Sequence, residues 1–428
     1  MNWLRKFAWI LLAATAAVTG AAAQVGLPGV PLPQLPQVTD PVTGTLRTAQ
    51  STALTQARQL RVRELLRTER DTVETDPDGQ PILRRQIGAL SPTPEALAGA
   101  QALGFTVLRA ESLDGLDLRL VILQAPEGMS TRRALKRLRE LDPRGSYDFN
   151  HLYLDSGAQS EPAAVSAPVP ASLPEVPAPS PVVRIGLVDS GVDIAHPALA
   201  GAAIQRHGCD GVAMPAAHGT AVASLLIGRA GEFRGVHPGA ALYASDIFCG
   251  HGGGSFALLA LALDWMAREQ VPVVNISLVG AKSVLLTGIV RAMSRRGHLL
   301  VAAVGNDGPS APPLFPAAYP EVVGVTGVDS GRRVLPEAGR GEHVDFAARG
   351  AGVRAAQVGG GFGEQRGTSF ATPVVAGLLA GSLLQPDPAK AQAALVDLGA
   401  RAVDLGRKGI DTTYGRGLVR GDFPQISP

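Results

Sequence analysis

The run Gly367-Thr368-Ser369-Phe370-Ala371-Thr372-Pro373 constrains this chain more than any other stretch. It sets one serine between a turn that glycine permits and an apolar helix whose first turn tolerates proline. The residues that follow, Val374-Val375-Ala376-Gly377-Leu378-Leu379-Ala380, are small and apolar, so the helix suits burial with its N-terminal amides directed at whatever Ser369 meets. Alone, such a serine reads equally well as a turn residue or a helix cap. Its meaning depends on what accompanies it.

Two upstream segments supply that company. Val182-Val183-Arg184-Ile185-Gly186-Leu187-Val188-Asp189-Ser190-Gly191 is a β-rich apolar run of the kind found in buried parallel strands, and it closes on an acid at its C-terminal edge. Acids at that edge face the ligand crevice of an open α/β sheet. Ala217-His218-Gly219-Thr220-Ala221-Val222-Ala223-Ser224-Leu225-Leu226 places a histidine at the start of an apolar helix. Asp189, His218 and Ser369 thus follow one another in the chain. An ionised acid can hold His218 in one tautomer and His218 can take a proton from Ser369, which is the division of labour acyl transfer requires.

With these three signatures in this order, the chain resembles the subtilisin-type serine endopeptidases. The resemblance implies an α/β fold: a subtilisin-like, mostly parallel sheet with helices on both faces. It also implies an orienting Asp189, a general base His218 and a nucleophile Ser369. Leu299-Leu300-Val301-Ala302-Ala303-Val304-Gly305-Asn306-Asp307-Gly308 resembles the family segment that carries the oxyanion-hole asparagine, here Asn306. Asn275-Ile276-Ser277-Leu278 resembles the wall of the specificity pocket, and Gly253-Gly254-Ser255 the edge strand that pairs with substrate backbone. Such pairing selects extended polypeptide substrates over folded ones. Phe315-Pro316-Ala317-Ala318-Tyr319-Pro320 echoes the family too.

Departures from the pattern are local. Val279 stands where a glycine is usual, and its methyl groups narrow or reshape the pocket, leaving the preference before the cut open. Ala221 replaces a second histidine, a matter of packing. The loop Arg229-Ala230-Gly231-Glu232-Phe233-Arg234 offers one carboxylate flanked by arginines, whereas calcium takes roughly six to eight oxygens, so no obligatory metal and no cofactor is expected there.

Arg5 and Lys6 precede an apolar run from Phe7 to Val18 that is shorter than the roughly 18 residues of a membrane span, and Ala21-Ala22-Ala23 precedes Gln24. This predicts a signal peptide over 1–23, hence an exported chain without a stable membrane anchor. A net charge of +2 with 18% charged residues gives no reason to seek nucleic acid, and a monomer is expected. The arginine-rich stretch Arg58 to Arg70 is broken by Glu64 and Glu69 and reads as a solvated helix face. Cys209 and Cys249 suit one disulfide in an exported chain. The mirrored pairs His207-Gly208-Cys209 and Cys249-Gly250-His251 offer a tetrahedral zinc site as the alternative, but an oxidising compartment favours the disulfide.

Between leader and catalytic region, Gly26 to Pro41 is Pro-rich and extended, and Thr45 to Asp71 predicts an amphipathic helix with Leu54, Ala57, Leu60 and Leu65 on one face. From Arg84 to Leu154 the pattern gives strand, helix, two strands (Phe105 to Ala110, Leu116 to Leu123), a helix from Thr131 to Leu141, and a strand from Tyr147. That β-α-β-β-α-β order is ferredoxin-like and α+β. Its position resembles the inhibitory propeptides of subtilisin relatives, which makes the N-terminal domain an expected intramolecular inhibitor. A Pro/Ala/Ser-rich linker spans 155–181 and the catalytic region 182–428. The expected product is a zymogen, degradative or narrowly tuned; a catalytically silent binding protein of the same shape is the alternative.

Overall fold

A computed structural model describes residues 58–156 and 183–420. The predicted leader, the Pro-rich segment, Leu54 and Ala57, and most of the linker lie outside the described residues.

The catalytic region is built on a sheet of seven parallel strands. Their order is Phe346–Arg349, Val322–Val328, Leu299–Ala303, Val273–Ile276, Arg184–Asp189, Ala241–Asp246 and Ile204–His207. The central strands are apolar at nearly every position and buried throughout, as strands covered on both faces must be. On one face pack the helices Phe256–Arg268 and Val284–Arg295; on the other pack Ala217–Ile227, Thr368–Ser382 and Pro388–Arg401. Because the three adjacent strands Arg184–Asp189, Val273–Ile276 and Leu299–Ala303 run parallel, their C-terminal ends deliver Asp189, Ser277 and the loop bearing Asn306 to one edge.

The segment ahead of this region forms a second sheet in which Ser146–Asp155, Pro81–Leu90, Leu118–Gln124 and Thr106–Leu113 are neighbours in that order, all antiparallel. This is the ferredoxin-like arrangement, with the short strand Val73–Thr75 added beside Pro81–Leu90. Helices Pro94–Ala102 and Thr131–Leu141 cover one face through Ala100, Leu135 and Leu138. The opposite face contributes Leu113, Leu120 and Ile122 to the apolar cluster of the helices Phe256–Arg268 and Val284–Arg295. Polar side chains fix this docking. Asp148 accepts from the amide of Val284 at 2.9 Å, Asn150 from that of Ala257 at 3.3 Å, and Asp264 from that of Gly115 at 2.8 Å. Two of these acceptors therefore satisfy orphan donors at helix N-termini.

The helix at 58–68 departs from expectation. Leu60, assigned to its apolar face, is 60% exposed, while Val62 and Leu65 pack with Leu152 and Leu154. The helix is rotated because the surface it meets is the last strand of the second sheet, which offers those two leucines. Nor is its basic side wholly solvated, since Arg58 is buried.

Candidate active site

The site assembles where the sheet ends. Asp189 closes its strand and is buried; its carboxylate accepts two hydrogen bonds from Ser190, through the amide at 2.7 Å and the hydroxyl at 3.2 Å. His218 lies in the first turn of Ala217–Ile227 with Nδ1 2.8 and 3.0 Å from the two oxygens of Asp189. Close approach of helix and strand needs Gly219, because a Cβ there would stand 2.1 Å from the Ser190 carbonyl oxygen. With Nδ1 committed to Asp189, Nε2 is the nitrogen left for proton exchange; among the described residues it has no hydrogen-bond partner. Burial pulls the imidazole's pKa down. The charge and hydrogen bond of Asp189, helped by Asp155, more than offset this and raise it above the usual value.

Ser369 sits in the first turn of Thr368–Ser382, after Gly367 at φ 137°, a backbone region that favours glycine. Its carbonyl accepts from the hydroxyl of Ser277 at 3.1 Å, and that hydroxyl also accepts from Asn275 at 3.0 Å. Asn306 is oriented by Oδ1, which accepts the amide of Thr368 at 3.1 Å, leaving Nδ2 to point into the cleft. The structure thus brings Asp189 together with His218, and Ser277, Asn306 and the Ser369 helix together with one another.

The cleft is occupied by the chain itself. The strand Ser146–Asp155 runs between two short cleft strands, pairing Tyr153 with Gly254 and Leu152 with Ser255 on one side, and Leu154 with Val279 and Asp155 with Leu278 on the other. Next, the amide of Ser156 donates to the carbonyl of Ser277 at 3.3 Å. The carbonyl of Ser156 accepts from Nδ2 of Asn306, and its hydroxyl bonds to that of Ser369. Asp155 and Ser156 therefore belong to this inserted tail, and any linker begins after them. Chemically, the arrangement holds one carbonyl against a donor and a hydroxyl, as acyl transfer requires.

Arg58 and Arg61 were not legible as site residues. Arg61 hydrogen-bonds to Asp155 at 3.1 Å, and Arg58 pairs with Asp307, the neighbour of Asn306, at 3.4 Å. Cys209 and Cys249 form a disulfide with Cα atoms 5.2 Å apart. His207 turns to Ser245 and stacks on Trp265, while His251 faces Glu69, so these imidazoles do not join the sulfurs as zinc ligands. The loop Arg229–Arg234 is a tight hairpin with Glu232 exposed.

An α/β sheet with an acid, a histidine and a helix-borne serine at its edge defines a class of serine hydrolases, and the comparisons make the class specific. A model of the subtilase family matches residues 181–417. Subtilisin E of Bacillus subtilis (strain 168) is 30% identical over 298 residues, covering 67% of this chain and 77% of that protein. The M-protease of Shouchella clausii (strain KSM-K16) is 31% identical over 297 residues, 66% of this chain and 74% of its own. Among solved structures, fervidolysin from Fervidobacterium pennivorans, described as a keratinolytic enzyme related to subtilisin, superposes with a TM-score of 0.66 at 20% identity. That match covers 82% of this chain and 63% of fervidolysin. The chain belongs to the subtilase family, the subtilisin-type serine endopeptidases.

Proposed function

We propose that the chain is the exported zymogen of this endopeptidase, that Asp189, His218 and Ser369 form its catalytic triad, and that Asn306 with the Ser369 amide forms its oxyanion hole. The observation that carries this reading is the carbonyl of Ser156, held by Asn306 beside the Ser369 hydroxyl. In the reaction, Oγ of Ser369 adds to the carbonyl carbon while its proton passes to Nε2 of His218. Asp189 stabilises the imidazolium so formed. His218 then gives the proton to the departing amide nitrogen, and water hydrolyses the acyl-enzyme by the same relay. Applied to the chain itself, the step cuts the bond after Ser156.

The tail remains in the cleft as a product would, so the N-terminal region inhibits the enzyme until it leaves. Covalent tethering places the tail at an effective concentration in the mM range, which keeps the uncut chain silent. The leader pattern before Gln24 and the disulfide both fit an oxidising compartment outside the cytoplasm. Among the described residues no helix is long and apolar enough to cross a membrane. Labelling of the purified chain with a fluorophosphonate probe tests the assignment. Ser369 should carry the label, Ser369→Ala should carry none, and a silent wild type after removal of residues 1–156 would reject it.

A further inference from the structure

We propose that Glu337 is a positioning residue that locks the loop bearing Asn306 to the helix bearing Ser369, so that donor and nucleophile keep one spacing through the reaction. The proposal rests on reading those two residues as the oxyanion donor and the nucleophile.

Three segments meet at Glu337. Its own turn is anchored by Leu335 and Ala338, which are fully buried and pack with Ala351. The main chain of that turn grips the Asn306 loop on both sides of the asparagine. The amide of Gly339 donates to the carbonyl of Gly305 at 3.0 Å, and the amide of Gly308 donates to the carbonyl of Glu337 at 2.8 Å. So close an approach needs Gly339, because a Cβ there would stand 2.8 Å from the carbonyl oxygen of Val304. The side chain of Glu337 reaches the third segment. Nη2 of Arg366 donates to Oε2 at 2.9 Å while its Nε lies 2.6 Å from Oε1, so the guanidinium is held by two of its nitrogens. Arg366 ends the strand Phe362–Arg366, and Gly367 alone separates it from the first residue of the serine helix.

The Asn306 loop also meets the serine helix directly, through the bond from the Thr368 amide to Oδ1 of Asn306. One hydrogen bond lets the amide group pivot about it. The Glu337 strut adds a second attachment and closes a ring through Asn306, Gly308, Glu337, Arg366 and Thr368, and a closed ring resists the pivot. A two-point pairing of arginine with carboxylate fixes orientation as well as distance. The carboxylate is the fixed post, since the Glu337 side chain is 8% exposed against 49% for Arg366. Glu337 thus acts on spacing rather than on the reacting atoms. Spacing is a steep variable, because a misplacement of about 1 Å costs on the order of a hundredfold in rate.

Self-cleavage after Ser156 in freshly folded full-length chain is a single turnover with the substrate already seated, so its first-order rate reads chemistry apart from binding. Glu337→Ala removes the buried charge and leaves the half-exposed Arg366 to water, so the fold should survive, which circular dichroism checks. Glu337→Gln, of the same shape, takes its place if it misfolds. Self-cleavage should slow at least about tenfold in Glu337→Ala and at least about threefold in Glu337→Gln, which keeps one hydrogen bond to Arg366. In an Asn306→Ala background the same substitutions should change the rate by less than about twofold, because the strut then holds no donor in place. An equal loss in both backgrounds would show a merely structural role, and an unchanged rate in the folded variant would show none; either result overturns the proposal. If Asn306→Ala alone leaves the rate unaltered, the oxyanion reading beneath the proposal fails, and the proposal with it.

Discussion

Arg58 and Asp307 form an ion pair 3.4 Å long in which both side chains are more than nine-tenths buried. Burial pushes the Asp307 carboxyl upward in pKa, against the pull of Arg58 and Arg61. The pair joins the helix at 58–68 to the loop that carries Asn306, and that helix covers Leu152 and Leu154 of the inserted tail. It therefore works as a strap over the tail.

Removing one partner of a buried pair costs about 3–5 kcal/mol when nothing else faces the charge left behind; Arg61 also pulls on Asp307, so the cost here falls below that range. In Arg58→Ala that cost falls on the covered state alone, because departure of the N-terminal region returns Asp307 to water. We expect the lag between self-cleavage and full activity to shorten by at least about tenfold, with mature kcat unchanged. A continuous assay started on freshly folded chain reads both, and an unaltered lag would mean the pair does not retain the strap.

Protonation of His218 couples to the tail. If His218 is the general base proposed above, it must be neutral to accept the Ser369 proton, and activity then falls as pH drops through its pKa. Burial lowers that pKa, whereas Asp189 and then Asp155 raise it, to a net value above the usual range; Arg61 opposes them. Asp155→Asn should accordingly move the acid limb of self-processing to lower pH, and Arg61→Ala should move it to higher pH. Timing band conversion across roughly pH 5 to 9 would show the two displacements, and shifts of the same sign would refute the coupling.

In the proposed oxyanion hole, Asn306 would donate to charge that develops only in the tetrahedral intermediate. Asn306→Ala should lower kcat by about a hundredfold to a thousandfold, the range measured for the equivalent loss in subtilisin, and leave KM little changed. Steady-state kinetics on a peptide substrate would separate this from a simple binding contact, which would raise KM instead.

The catalytic strands, the histidine and serine helices and the helix Thr131–Leu141 were legible because their signals are local. An acid closes an apolar run, a serine opens a small-residue helix, and hydrophobic spacing marks an amphipathic turn. The ferredoxin-like order was legible from alternation alone, although the final strand extends through Asp155 and the tail through Ser156. What escaped depends on pairs distant in sequence. Asn150 caps a helix 107 residues away and Asp148 one 136 residues away, and neither looks unlike an ordinary strand polar residue. Arg58 looked solvated because charge runs usually are; only the folded cleft supplies Asp307.

The central claim is that the tail ending at Ser156 lies in the cleft as a substrate of its own Ser369. Intact-mass analysis of purified full-length chain tests it directly. Wild type should resolve into one fragment ending at Ser156 and one beginning at Gly157, while Ser369→Ala stays joined across that bond. Cleavage after Ser156 in the Ser369→Ala protein, or a wild type that gains activity with that bond intact, would contradict the account.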